Sequence, residues 1–395
     1  MTHEQTFFLQ ILSDHLNGRE TQARSGLDWD KIAEYAQNHQ VNGIVYHQCR
    51  GFMPAEWAAK FNEKYAVELF YYHNRVALFQ QVTDRLEAAR LPYFTVKGLD
   101  LARLYPVPAL RTMGDCDIVM HHEDREKAHP IMLELGFRNT QKETLEWMYY
   151  KDNMEFELHD HLLYEELGNA ADNRRFVDRA WDFVHPLDGC RYELDWSFHF
   201  FFLLLHLKKH LIHAGVGFRQ FMDLVVVMRS QKLDWDWICR ELEAQSLLRF
   251  ARVILTLNER WFGEASPLGA AEMDEAAIDQ AAAKVFANGI FGYDDEENED
   301  LRLLNAITQK KGPRWLVRAR NVLEFAFPPY RRMYYVPEYA FVNGRPWLLP
   351  AAWGYRFYRS VRYGMGDRGA NTVKRSLVSN DKLDAREREL AKWGL

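Results

Sequence analysis

Asp115-Cys116-Asp117 places two carboxylates two residues apart. On a β-strand successive side chains alternate between faces, so Asp115 and Asp117 project together while Cys116 and Ile118 turn to the core. Two carboxylates side by side repel unless a divalent cation sits between them. A third acid is at hand in 154–159, where Glu155, Glu157 and His159 share one face and Phe156 and Leu158 take the other. Of the two glutamates, Glu157 is the favoured ligand. Three carboxylates on adjacent strands can hold two Mg²⁺ ions, the arrangement needed for in-line attack on a nucleotide phosphate. Upstream, Lys97-Gly98 stands where a strand gives way to a helix. Free N–H groups at such a junction attract anions, glycine lets a phosphate approach closely, and Lys97 adds a cation. On repulsion alone, changing both Asp115 and Asp117 to Asn is expected to abolish metal binding and leave the fold intact or slightly stabilised.

A second constellation lies in WSFHFFFLLLHLKKHLIHAG, where His199, His206, His210 and His213 recur at helical spacing and form one stripe. HLKKH has the two-His spacing of a zinc-protease helix, but it lacks the Glu, and Lys208 and Lys209 disfavour a cation, which excludes that reading. Arg219 and Asp223 follow. Two readings stand side by side: Lys209, His210 and Arg219 touch phosphate or base in a cleft, or Asp223 pairs with Arg219 or a histidine in a buried polar network. A rival use of the histidines, His159-Asp160-His161 with His206 and His210, would be a metal-dependent phosphohydrolase. Such sites draw ligands mainly from helices, whereas His159-Asp160 ends a predicted strand.

The pattern predicts the elements that position these groups. The first 90 residues read as helices, with Asp28 standing before one of them. Strands follow at 93–96 and 115–120, with a helix at about 123–135 ended by Gly136, and a hairpin of 147–151 and 154–159 turns at Asp152-Asn153. After residue 170 the chain reads as helix almost throughout. The predicted class is α+β, a small mixed sheet embedded in predominantly helical domains. The divisions are 1–90 (helical), 91–165 (catalytic core), 166–290 (a helical domain closing the cleft) and 301–395 (a basic, aromatic-rich extension).

Length and composition bound the rest. The 395 residues are 48% apolar and 27% charged, which suits a globular protein with ample core. The longest mostly apolar stretch, 196–207, is interrupted by two histidines and is too short to span a bilayer. The N-terminus shows no basic signal region, and the four cysteines form no CxxC pair, so reduced thiols and a cytoplasmic location are expected, with the inner membrane face as a candidate position. Charge is uneven. Residues 302–375 hold 15 Lys and Arg against three acids, a local net of +12 within a chain of −6, and an acidic run at 294–300 precedes them. Arg356, Arg359 and Arg362 alternate there with aromatics. The favoured reading folds this extension back on the acidic body. An anionic membrane surface through 302–375 comes next, and nucleic acid is less favoured. The oligomeric state is not legible.

The stretch PYFTVKGLDLARLYPVPALRTMGDCDIVMHHEDREKAHPIMLELGF, followed by FELHDHL, resembles the uncharacterised nucleotidyltransferase family of the DNA polymerase β-like superfamily. That family's pattern is an apolar strand, Lys-Gly, a short helix, a Tyr, an Arg before Asp-x-Asp, a helix, then acid-Leu-His. Lys97 and Gly98 match the Lys-Gly, Arg111 the Arg, Asp115 and Asp117 the metal pair, and Glu157-Leu158-His159 the third acid with its His. The resemblance implies a minimal nucleotidyltransferase α/β core and transfer of a nucleoside monophosphate from an NTP, with ATP expected, to an acceptor hydroxyl by two Mg²⁺ or Mn²⁺ ions. In that scheme Asp115, Asp117 and Glu157 are the catalytic metal ligands. Lys97, Gly98, Arg111, Lys209, His210 and Arg219 hold the nucleotide. Where the superfamily usually has Gly-Ser or Gly-Gly, this chain has Gly98-Leu99, so Lys97 or Arg111 must replace a hydroxyl contact. The alternative on the same fold is a non-catalytic nucleotide- or partner-binding protein.

Overall fold

The computed structural model describes residues 1–141, 146–162, 179–213, 215–290, 312–330, 336–362 and 379–395, with 304, 305, 308 and 333. The acidic run at 294–300 and all of 363–375 lie outside the described residues.

Four helices open the chain: α1 (His3–Leu16), α2 (Trp29–Asn38), α3 (Asn42–Cys49) and α4 (Ala55–Ala88). Thr2 and Gln5 close a capping box at the start of α1, and the Asp28 carboxylate accepts from the N–H groups of Asp30 and Lys31 to start α2. Helix α4 runs 34 residues, about 50 Å at the usual rise.

The sheet follows. Its strands are β1 (Tyr93–Val96), β2 (Asp115–Met120), β3 (Arg138–Gln141), β4 (Glu146–Lys151), β5 (Met154–His159), β6 (Val184–Asp188) and β7 (Arg191–Leu194), in the order β3-β4-β5-β2-β1-β7-β6. Short α5 (Gly98–Ala102) and α6 (His122–Glu134) join the early strands. Strand β2 runs antiparallel to β1 and parallel to β5, and β1 runs parallel to β7, so the sheet is mixed and the α+β class holds. Asp152 and Asn153 both have positive φ, 51° and 60°, as a two-residue hairpin of the type I′ kind requires.

The expected run of helix beyond 170 is interrupted by the hairpin of β6 and β7, which extends the sheet past residue 165. Its signal is weak for a physical reason. Strand β6 is an edge strand, largely exposed and carrying Pro186, so it has neither a buried alternation nor a full ladder of donors.

Five helices then complete the body: α7 (Trp196–His213), α8 (Phe218–Ser230), α9 (Trp235–Ala244), α10 (Leu248–Phe262) and α11 (Glu275–Asn288). The alternation of the strands separates two cores. On one face Tyr93, Cys116, Ile118, Met120, Phe156 and Leu158 pack under α6 and the second half of α4. On the other, Phe94, Val96 and Val119 join the large core built by Phe198, Phe201, Phe218 and the N-terminal helices. That second face is the one to which Asp117, Glu157 and His159 belong. The terminal helices are α12 (Arg314–Ala326), α13 (Leu349–Arg362) and α14 (Asn380–Lys392).

His39 gives the body core an acid-sensitive point. It is fully buried among Phe8, Phe218 and Phe286, and neither ring nitrogen has a hydrogen-bond partner among the described residues. Burial lowers its pKa to about 3. A histidine whose folded pKa is depressed stabilises the fold above its unfolded value of about 6.5 and loses that contribution as pH falls. Between pH 7.5 and 5.5, His39 should therefore account for a loss of about 1.4 kcal/mol. His39→Phe should remove that share of the acid slope and raise stability at neutral pH, as read by urea melts at the two pH values. An unchanged slope in the variant would contradict this.

Candidate active site

The site begins with β2 and β5 in register: Asp115 lies opposite Glu155, Asp117 opposite Glu157, and Val119 opposite His159. Strand alternation therefore puts Asp115, Asp117, Glu155, Glu157 and His159 on one face. His159 Nε2 lies 3.0 Å from Asp117 Oδ1 and 3.0 Å from Glu157 Oε2. One oxygen each from Asp117 and Glu157 and the His159 ring nitrogen fall within 4.8 Å of one another. Asp115 is half-buried on the same face but outside that trio, and Glu155 accepts from the Tyr150 hydroxyl at 2.6 Å.

Lys97 sits at the rim. Its Nζ lies 2.8 Å from Asp117 Oδ2, a buried ion pair. The Asp117 and Glu157 carboxylates, side by side, are oxygen donors that fit a divalent cation such as Mg²⁺ or Mn²⁺, with Lys97 and His159 as the positive charges that hold them together. The charges interlock. Burial opposes ionisation of Asp117, but Lys97 and His159 hold its carboxyl well below the usual range. Burial likewise opposes protonation of His159, but Asp117 and Glu157 push its pKa up to about 10.

These pairings correct the expectation that removing the aspartates would relieve repulsion. Asp117 is held by net attraction, so neutralising it takes the nearest counter-charge from Lys97 and leaves His159 with Glu157 alone.

The backbone at Lys97 is unusual. Its φ of 55° and ψ of −127° are rare for a residue with a Cβ, and its N–H donates to His199 Nε2 at 3.0 Å. His199 stacks on Trp196, and burial, with the Lys97 charge, lowers its pKa to about 3. A neutral imidazole is what an N–H needs as acceptor. This is the role of the first histidine in the stripe, and spacing alone could not assign it. His206 and His210 pair with each other, their Nε2 atoms 3.3 Å apart. Lys209 is half-buried on the same helix.

Three arginines, Arg75 and Arg111 buried and Arg219 half-buried, brace the loop that delivers Asp115. Arg111 does not open toward the cleft: its Nε and Nη2 donate to the two oxygens of Asp223 at 2.7 and 2.9 Å, and its Nη1 donates to the Gly98 carbonyl at 3.1 Å. Tyr105 adds its hydroxyl to Asp223 at 2.7 Å. Asp223 thus takes Arg111 and Tyr105, not Arg219 or a histidine. Arg219 donates to the Thr112 carbonyl at 2.6 Å, and Arg75 from α4 donates to the carbonyls of Met113 and Gly114. The polar network reading is the one these distances fit, with Gly98 and residues 112–114 as the segments it fixes. Arg75 carried no sequence signal, because its target is backbone. Asp223→Asn should leave Arg111 buried without a counter-charge and destabilise the protein by about 3–5 kcal/mol. A denaturant midpoint equal to wild type would contradict that.

Asp160 faces other partners: Arg125 and His161, the latter at 2.5 Å, with His122 at 2.6 Å. It is therefore taken up beside the trio rather than adding to it, which removes the basis for pairing His159-Asp160 as phosphohydrolase ligands.

Buried Asp117 and His159 and half-buried Glu157 thus converge on one face of the mixed sheet, with Lys97 at the strand-to-helix bend beside them. The chain belongs to the uncharacterised nucleotidyltransferase family, whose model matches residues 25–263, more than half of its length. No curated protein and no solved structure matches it.

Proposed function

We propose that the protein transfers a nucleoside monophosphate from an NTP to an acceptor hydroxyl, with ATP the expected donor. The observation that carries this reading is the convergence of Asp117, Glu157 and His159 beside Lys97 in a chain of this family. Asp117 and Glu157 would hold Mg²⁺ or Mn²⁺, with Asp115 on the same face as a further ligand. A bound divalent cation would supply charge neutralisation at the phosphates and a more acidic acceptor hydroxyl.

The chain's own groups do the rest. The bend at Lys97-Gly98 brings a cation beside Asp117, and Lys209 and His210 on α7 would be further contacts for the nucleotide. Arg111 and Arg219 serve by bracing, which assigns them to positioning. In the reaction the acceptor oxygen bonds to the α-phosphorus, the bond to the bridging oxygen breaks, and pyrophosphate leaves. The acceptor proton passes to a nearby base, for which Glu157 is placed, being the more exposed of the two carboxylates in the trio at 13% against 3% for Asp117. Incubating the protein with α-labelled NTPs, Mg²⁺ or Mn²⁺ and cell lysate tests the reading. A covalently labelled macromolecule or small acceptor is expected. No labelled product with any of the four nucleotides and either metal would count against it.

A further inference from the structure

The region between the body and α14 carries a surface unlike the rest. Of fifteen large apolar side chains exposed among the described residues, nine lie between 315 and 358. They are not scattered. On α12, Trp315, Leu316 and Leu323 are exposed at 71%, 50% and 58% and their spacing places them along one face, with Phe327, 51% exposed, just past the helix end. On α13, Tyr355 and Tyr358 stack with centroids 6.5 Å apart, and exposed Phe341 meets Tyr355 edge-on at 6.3 Å. Trp347 and Phe357 are each at least 70% exposed.

Charge accompanies these rings. Residues 312–362 contain nine arginines against Glu324 and Glu338, a net of +7. Both acids are paired within the region, Glu324 with Arg320 and Glu338 with Arg359. The region is also anchored. It has its own small core of Met333, Tyr339, Val342 and Ala352. Arg314 reaches Asp384 and Glu387 on α14, and Trp393 just beyond α14 is buried in the body core.

We propose that this surface docks on an anionic lipid bilayer, with α12 and α13 lying in the interface. Exposed Trp, Tyr and Leu on amphipathic helices suit the boundary between headgroups and acyl chains, and arginines extend to lipid phosphates while their stems stay in apolar surroundings. No helix among the described residues is long and apolar enough to cross a membrane, so the chain lies on the bilayer through this surface. The net positive charge of the segment complements an anionic headgroup layer and does not favour a second copy of the same segment. The exposed rings could also stack on bases, so RNA binding is one of the outcomes that the test distinguishes.

The test is flotation of the full-length protein with phosphatidylcholine vesicles, with and without about 30% phosphatidylglycerol. Binding is expected only with the anionic lipid, weakening as salt rises from about 0.1 to 0.5 M. The double variant Leu316→Glu/Leu323→Glu should bind at least about tenfold more weakly while melting as wild type does, since both side chains are exposed. A second variant, Trp315→Ala/Trp347→Ala, should lose binding in the same direction. Wild-type protein that ignores anionic vesicles, or variants that bind as wild type does, would overturn the proposal. So would a concentration-dependent dimer or an RNA complex without vesicle binding, each of which assigns the surface to a different partner.

Discussion

Asp117→Asn should remove both the activity and a large part of the stability, by about 3–5 kcal/mol, because it takes the nearest counter-charge from Lys97 and leaves His159 with Glu157 alone. Lys97 Nζ at 2.8 Å and His159 Nε2 at 3.0 Å both lean on this carboxylate, and its side chain is 3% exposed. Divalent-cation affinity should fall with it, since Asp117 supplies one of the two carboxylates that converge there. Two measurements separate the effects: a denaturant melt of the metal-free protein and a calorimetric Mn²⁺ titration at a temperature where the variant is folded. A variant as stable as wild type would mean that the ion pairs contribute little. Unchanged Mn²⁺ affinity would mean that the metal, if bound, sits elsewhere.

Glu157→Gln is expected to lose activity by orders of magnitude while keeping most NTP affinity. A carboxylate that takes part as the acceptor hydroxyl is activated acts mainly in the transition state. Glu155→Gln should be mild, because Glu155 is already engaged by Tyr150 at 2.6 Å. The readout is single-turnover rate against NTP dissociation constant for each variant. A reversed ranking, with Glu155→Gln the more damaging, would show that Glu155 supplies the ligand.

The contrast between these two acids shows what the sequence carried. Alternation along 154–159 placed Glu155, Glu157 and His159 on one face, and the apolar residues between them went to the core as expected. The register of β5 against β2, which sets Glu157 opposite Asp117, depends on pairing between strands and is not written in either one. The hairpin turn at Asp152-Asn153 was legible because positive φ at two adjacent positions favours those residue types. Strand β6 was not, since an exposed edge strand has no buried face to impose a period. The arginines were visible as charges, but their targets are carbonyls and one distant aspartate, Asp223, 112 residues from Arg111. Charge type alone suggests a phosphate for such a residue. Burial decides otherwise, because the Arg111 guanidinium already has its acceptors inside the protein.

The central claim concerns which phosphorus is attacked, and a matched pair of labels answers it. The purified protein is given its acceptor and either α-labelled or γ-labelled NTP with Mn²⁺. Nucleotidyl transfer predicts that the α label moves to the acceptor, that the γ label appears in pyrophosphate, and that Glu157→Gln abolishes both. Transfer of the γ label to the acceptor, or its release as inorganic phosphate with the nucleoside diphosphate left behind, would contradict the account.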